Sequence, residues 1–303
     1  MNQDKLNTLD QVLAGLMRRY MDRVPEVARV LEAMIQNKLI DKVSDIENDH
    51  IAFRTMGVPN LGIQSLEKIF LHYGYTKRDH YFFEGKKLDA YWYSPPEDKY
   101  PRIFMSELRV GDLSQRAQQI IHKYTDTVKT DPVSKLNLDD WQTVDQFLHT
   151  GLWPVPSLKD YEALLEESEY AAWVIYNRYY LNHFTISIHS LPDARYRTME
   201  QFVNFLVASQ IRMNTAGGLI KVSPDGKLKQ SSTVASKVLA NFQDDEQLEI
   251  PGSYVEFAER LVLEEYKDLP ASQITRKHRR DGFETGNADR IFESTFREQT
   301  DKK

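Results

Sequence analysis

At 303 residues, with 41% hydrophobic and 11% aromatic side chains, the chain can bury a sizeable core as one large domain or as two fused modules. Its 45 acidic and 39 basic side chains are interspersed to a net charge of −6, with no long basic stripe, which argues against nucleic acid as a partner. The lack of cysteine excludes disulfides, thiolate zinc, iron–sulfur clusters and a cysteine nucleophile, so any metal must be held by His, Asp, Glu or backbone oxygen.

The opening stretch MNQDKLNTLDQVLAGLMRRY has acids near its start and no continuous apolar run. It reads as an amphipathic helix and not as a leader, and nothing approaches the roughly 20 apolar residues of a membrane span. A cytoplasmic protein with no membrane partner is expected. Leu9, Val12, Leu13, Leu16 and Met17, then Val27, Val30, Leu31, Met34 and Ile35, keep helical spacing on either side of Pro25. Two helices meeting near that proline therefore fill residues 1–48.

The rhythm then changes. His50 to Thr55 reads as a strand, Leu61 to Tyr73 as a helix, and Tyr75 to Phe83, Leu88 to Tyr93 and Arg102 to Val110 as three more strands, giving β-α-β-β-β over residues 49–110. Residues 111–181 return to helical patterning, with Trp141, Phe147, Tyr161, Leu164, Leu165 and Trp173 as core positions. The first rhythm recurs over 182–263: a strand from Asn182 to Ser190, a helix from Met199 to Met213, strands at Leu219 to Val222 and Leu228 to Val234, and another opening the run Gly252 to Leu263. Residues 264–303 form a tail whose Phe283, Phe292 and Phe296 pack on the body. Within it lies the only compact basic run, Arg276-Lys277-His278-Arg279-Arg280, a solvated surface or an anion-pairing segment. The expected fold is α+β: two βαβββ modules closing one barrel-like unit, with helices at the N-terminus and between the copies.

Each copy opens with the same kind of dipeptide, Asp49-His50 and Asn182-His183. Alternation along a strand puts His50, Ala52 and Arg54 on one face, and His183, Thr185, Ser187 and His189 on another. A lone strand histidine is usually structural; two at matching positions of a repeat point more strongly to a metal. In Tyr254-Val255-Glu256-Phe257-Ala258-Glu259-Arg260, Glu256 either turns into the barrel, where a carboxylate needs a cation or partner, or faces solvent. Two imidazoles and one carboxylate form the facial set typical of non-haem Fe(II) oxygenases. His189 lies too far along its strand to join the same ion easily.

The strings NDHIAFRT, LNHFTISIH, YVEFAER and RRDGFETGNADRIFEST resemble the 2-oxoadipate dioxygenase/decarboxylase (hydroxyglutarate synthase) family, whose paired modules look like the vicinal oxygen chelate, or glyoxalase-like, superfamily. The resemblance runs from about residue 48 to the end. It implies that His50, His183 and Glu256 hold Fe(II), a place that Zn, Ni or Mn could take, and that Arg54 binds a substrate carboxylate. It further implies a 2-oxo dicarboxylic acid and O₂ as substrates, with 2-oxoadipate going to 2-hydroxyglutarate and CO₂. The other reading of Arg54 is a structural pair with Asp89 or Glu107. Glu107, on the last strand of the first copy, is taken as the symmetry mate of Glu256: a fourth ligand, a catalytic base, or a structural partner of Arg54 or Arg109. Ser231 and Ser232 are candidate substrate contacts. Two alternatives remain open, a glyoxalase-type metal-dependent isomerase, lyase or hydrolase, and a non-catalytic small-molecule-binding barrel. The sequence assigns no oligomeric state.

Overall fold

The computed structural model describes residues 3–302; residues 1, 2 and 303, at the outer ends of the first and last expected segments, lie outside the described residues. Two helices open the chain, α1 (Gln3–Arg23) and α2 (Pro25–Gln36), and Pro25 starts the second helix, where its missing N–H costs nothing. The first module follows as β1 (Asn48–Met56), α3 (Ile63–His72), β2 (Thr76–Phe83), β3 (Leu88–Ser94) and β4 (Arg102–Leu108). Between the modules stand α4 (Gln115–Thr125), α5 (Trp141–His149), α6 (Leu158–Glu167) and α7 (Glu169–Asn177). The second module comprises β5 (His183–Ser187), α8 (Met199–Ala208), β6 (Lys221–Val222), β7 (Leu228–Ser232), β8 (Lys237–Asn241), β9 (Gln247–Pro251) and β10 (Tyr254–Arg260). The tail carries α9 (Thr285–Phe292) and α10 (Arg297–Thr300).

Eight strands make one curled mixed sheet in the order β2-β3-β4-β1-β5-β10-β7-β6, while β8 and β9 pair apart from it. In each module the opening strand lies parallel to the last one, β1 to β4 and β5 to β10. The modules join where β1 and β5 run antiparallel, Ala52 opposite His183. That join puts both histidine-bearing strands at the centre of the sheet. There β5 and β10 are buried at every position and β1 at all but Asn48. Both faces of this central strip are covered, which is why its sequence mixes apolar and polar residues without an exposed alternation.

Several expected boundaries move. The helix from Met199 stops at Ala208, because Gln210 adopts φ 60° and Met213 bridges to Thr233. The strand from Asn182 ends at Ser187 and tightens into a single turn over Ile188–Ser190. The hairpin β8–β9 was not anticipated: Lys237, Leu239 and Asn241 are exposed, so little burial pattern marks it. Among the described residues no helix is long and apolar enough to cross a membrane.

Candidate metal centre

Neighbouring strands bring three side chains to one point. His50 lies opposite Thr185 across β1–β5, and Thr185 lies opposite Glu256 across β5–β10. The His183 Nε2 atom is 3.0 Å from Glu256 Oε2, the His50 Nε2 atom is 3.5 Å from Glu256 Oε1, and the two Nε2 atoms are 3.4 Å apart. One donor atom from each residue lies within 4.8 Å of the others, and all three residues are buried. Like-facing donors crowd this closely at little cost when a cation sits among them.

The other ring nitrogens are already committed. His50 Nδ1 is 2.8 Å from Asp49 Oδ2 and His183 Nδ1 is 3.0 Å from Asn182 Oδ1. A carboxylate and an amide oxygen only accept, so both rings carry their proton on Nδ1 and present a lone pair at Nε2. The residue before each histidine is thus its orienting acceptor, and the repeated dipeptide was the signal for it. Asp49 is itself gripped by Arg260, through Nε at 2.7 Å and Nη2 at 2.9 Å, and more loosely by Arg102. Burial opposes a charged Asp49, yet these guanidiniums hold its carboxyl well below the usual range.

On the far side, Gln230 Nε2 donates to Glu256 Oε1 at 2.7 Å, and Asn287 of the tail donates to Gln230 Oε1. Burial alone would raise Glu256, but the adjacent imidazoles keep its carboxyl far below its ordinary value. Burial depresses His183, whereas Glu256 and Asp49 outweigh it at His50 and lift that ring. An ionised carboxylate beside two Nε2 lone pairs is a donor set that fits a divalent cation.

A narrow cavity opens onto this cluster, walled by Phe104, Tyr254, Phe283, Ile291 and Phe292 and reached by Arg54. Arg54 is 1% exposed and donates to Thr295 Oγ1 at 2.9 Å and to the Phe292 carbonyl at 3.0 Å. The rings of Trp173, Tyr170 and Phe292 lie 5.1, 5.2 and 5.5 Å from its guanidinium carbon. Its Nε has no partner, and among the described residues it forms no ion pair with a carboxylate. The expected alternative partners are occupied elsewhere: Asp89 meets His80 and Arg109, and Glu107 meets a backbone N–H.

Glu107 requires a correction. Its Oε2 accepts from Ile63 N at 2.6 Å, at the start of α3, so it stands apart from the cluster as neither fourth ligand nor base. It is not the mate of Glu256 either. Glu256 faces Thr185, two residues past His183; two past His50 is Ala52, which faces Phe104. Glu107 faces Thr55, five past His50, and its counterpart is Glu259, one position beyond the Ala258–Ser187 pair. Glu259 Oε2 accepts from Met199 N at 2.7 Å, at the start of α8. Each module therefore spends the same acid on the same helix terminus.

The serines also land away from the cavity. Ser231 donates to the Leu219 carbonyl and Ser232 meets Ser294 at 2.8 Å, so the polar contacts of β7 reach the cluster through Gln230. His189 accepts from Arg260 N at 3.3 Å and is pushed down to about 3 by burial and by Arg279, apart from the cluster.

A family model described as 2-oxoadipate dioxygenase/decarboxylase matches residues 12–273. The Arabidopsis thaliana protein named 2-oxoadipate dioxygenase/decarboxylase, chloroplastic, is 43% identical across 96% of this chain and 78% of its own length. A crystal structure of hydroxyglutarate synthase from Oryza sativa in complex with 2-oxoadipate is 40% identical, covers 99% of this chain and 95% of that one, and superposes with a TM-score of 0.90. A protein from Ralstonia eutropha assigned to the glyoxalase superfamily, 21% identical, shares the fold at a TM-score of 0.64, covering 91% of this chain and 85% of its own.

Proposed function

The chain belongs to the 2-oxoadipate dioxygenase/decarboxylase family, and on that footing we propose that it oxidatively decarboxylates a 2-oxo dicarboxylic acid at the His50–His183–Glu256 cluster. The balanced reaction takes 2-oxoadipate and O₂ to 2-hydroxyglutarate and CO₂. The former 1-carboxylate leaves as CO₂ with its own oxygens, and both atoms of O₂ enter 2-hydroxyglutarate, one in the new carboxylate and one in the hydroxyl. The observation that carries the reading is a three-donor set beside a buried arginine that no carboxylate neutralises.

In this reading His50, His183 and Glu256 hold the ion, Fe(II) by the donor chemistry. Bound there, it supplies chelation of the 2-oxo acid and the redox chemistry that O₂ requires. The chain's own residues do the rest. Arg54 offers its unshared donor to the distal carboxylate, and its stacking against Tyr170 and Trp173 fixes the distance at which the acid is clamped. Asp49 and Asn182 keep protons on Nδ1, so neither imidazole turns its lone pair away. Gln230 holds Glu256 in place. Phe104, Phe283 and Phe292 exclude water from the reacting carbon and strengthen the ion pair at Arg54. Phe104 also argues against the glyoxalase-type alternative, since it stands where a second carboxylate would close the set. A binding-only role has no feature in its favour.

The test is oxygen uptake and CO₂ release by Fe(II)-loaded protein given a panel of 2-oxo acids, with His50→Ala as control. Uptake with six-carbon dicarboxylates and none in the control supports the reading. No uptake with any acid, together with turnover under Zn²⁺, overturns it.

A further inference from the structure

A second cleft lies behind Asp49, on the side away from the metal cluster. Six basic side chains line it against three acidic ones, so it carries a positive surplus. Three of its arginines are tethered to backbone oxygens. Arg197 donates to the carbonyls of Leu191 and Pro192, Arg276 to those of Asp98 and Tyr100, and Arg279 to that of Arg260. Among the described residues none of the three forms an ion pair with a carboxylate. These tethers aim the guanidiniums without neutralising them.

Two further observations point to a ligand. Arg102 is 2% exposed, yet its buried Nη2 has no hydrogen-bond partner. Arg276 likewise buries an Nη2 with none, and both residues line this cleft. A buried N–H of a charged group left unpaired is destabilising unless a ligand accepts from it. Two such donors in one basic cleft form a receptor for an oxyanion.

We propose that this cleft binds a phosphate group, with Arg102 and Arg276 as its principal donors. Arg102 is already paired with Asp281 and Asp49, and Lys99 with Glu97, which leaves Arg197, Arg276 and Arg279 without a carboxylate partner among the described residues. Three such guanidiniums suit a dianion better than a single carboxylate, and the open mouth admits either free phosphate or a phosphate monoester. The seat adjoins Asp49, which Arg102 helps to hold and which orients His50, so an occupant shares a residue with the metal cluster. The basic run Arg276 to Arg280, foreseen as solvated or anion-pairing, here takes the second role.

Calorimetric titration of the metal-loaded protein with inorganic phosphate, and separately with glycerol 3-phosphate, tests this, with ³¹P line broadening as a second readout. One anion should bind per chain, and Arg276→Gln should weaken it about tenfold. Since Arg276 also tethers the tail, Lys99→Glu offers a gentler change: this rim side chain is 54% exposed, and its reversal should weaken binding about fivefold without disturbing the fold. His50→Ala should bind phosphate as the parent does, which separates the cleft from the metal and from the reading above. Tighter binding of the ester assigns a phosphorylated metabolite, and equal binding assigns free phosphate. No binding up to tens of millimolar overturns the proposal. So does binding unchanged in both Arg276→Gln and Lys99→Glu, or binding lost in His50→Ala alone.

Discussion

The two modules are built alike and used differently. Both open with a strand whose first histidine is oriented by the preceding side chain, and both run their last strand parallel to the first. Both place a glutamate against the N-terminus of their own helix, Glu107 at α3 and Glu259 at α8. At the position that bears on coordination they part: the second copy has Glu256 where the first has Phe104. The shared features are those that fold a module. The differing one decides coordination, because a carboxylate adds a donor and a phenyl ring adds a wall. A repeated fold thus yields a cluster of three donors and not four, with an apolar side open to substrate and O₂.

The largest expected effect is from removing a donor of the second module. Glu256→Gln leaves two imidazoles without their anion, and metal content by elemental analysis should fall together with oxygen uptake to background. Retention of a full equivalent of metal would break the asymmetry drawn here.

Phe104→Glu should make the modules chemically alike. The variant should bind metal at least as tightly as the parent while losing oxygen uptake, because a fourth donor narrows the access that three leave. Uptake at the parent rate would mean that position 104 does not correspond to 256.

Arg54→Met keeps the length and removes the charge. KM for 2-oxoadipate should rise about 100-fold, the range for losing one partner of a buried charged pair, while a 2-oxo monoacid of equal length is unaffected. An equal loss for both acids would show that Arg54 acts through structure.

The smallest effect tests the shared part. Glu107→Gln and Glu259→Gln should each cost about 1 kcal/mol of stability, roughly 2 °C in Tm by calorimetry, with metal content unchanged. A loss of metal in one alone would end the equivalence of the pair.

Much of this organisation is legible in the sequence, for definite reasons. Strand alternation is local, so the faces of His50 and His183 follow from period two, and the recurrence of the dipeptides marks the repeat. Taking Glu107 as the mate of Glu256 fails because the equivalence depends on how each last strand pairs with its first, a long-range register that local spacing does not contain. Only the register of β1 with β4 and of β5 with β10 pairs Glu107 with Glu259. Other features depend on segments distant in the chain. Gln230 meets Glu256 across β7–β10 and Arg260 reaches back to Asp49, which no spacing rule contains. Ser231 and Ser232 look as suitable as Gln230 in sequence, but their hydroxyls are claimed by Leu219 and Ser294. The β8–β9 hairpin escapes because exposed strands carry little hydrophobic pattern.

The cavity wall depends on the tail in a way that has an order in time. His50, His183 and Glu256 all precede residue 257, whereas Phe283, Ile291, Phe292 and Thr295, which complete the wall and hold Arg54, are synthesised after them. During translation the three donors can converge while the chain is still emerging, but substrate has no enclosed seat until α9 docks. An ion captured before α9 docks would be held in the open, and the residues from Phe283 to Thr295 would then convert an exposed centre into a guarded one.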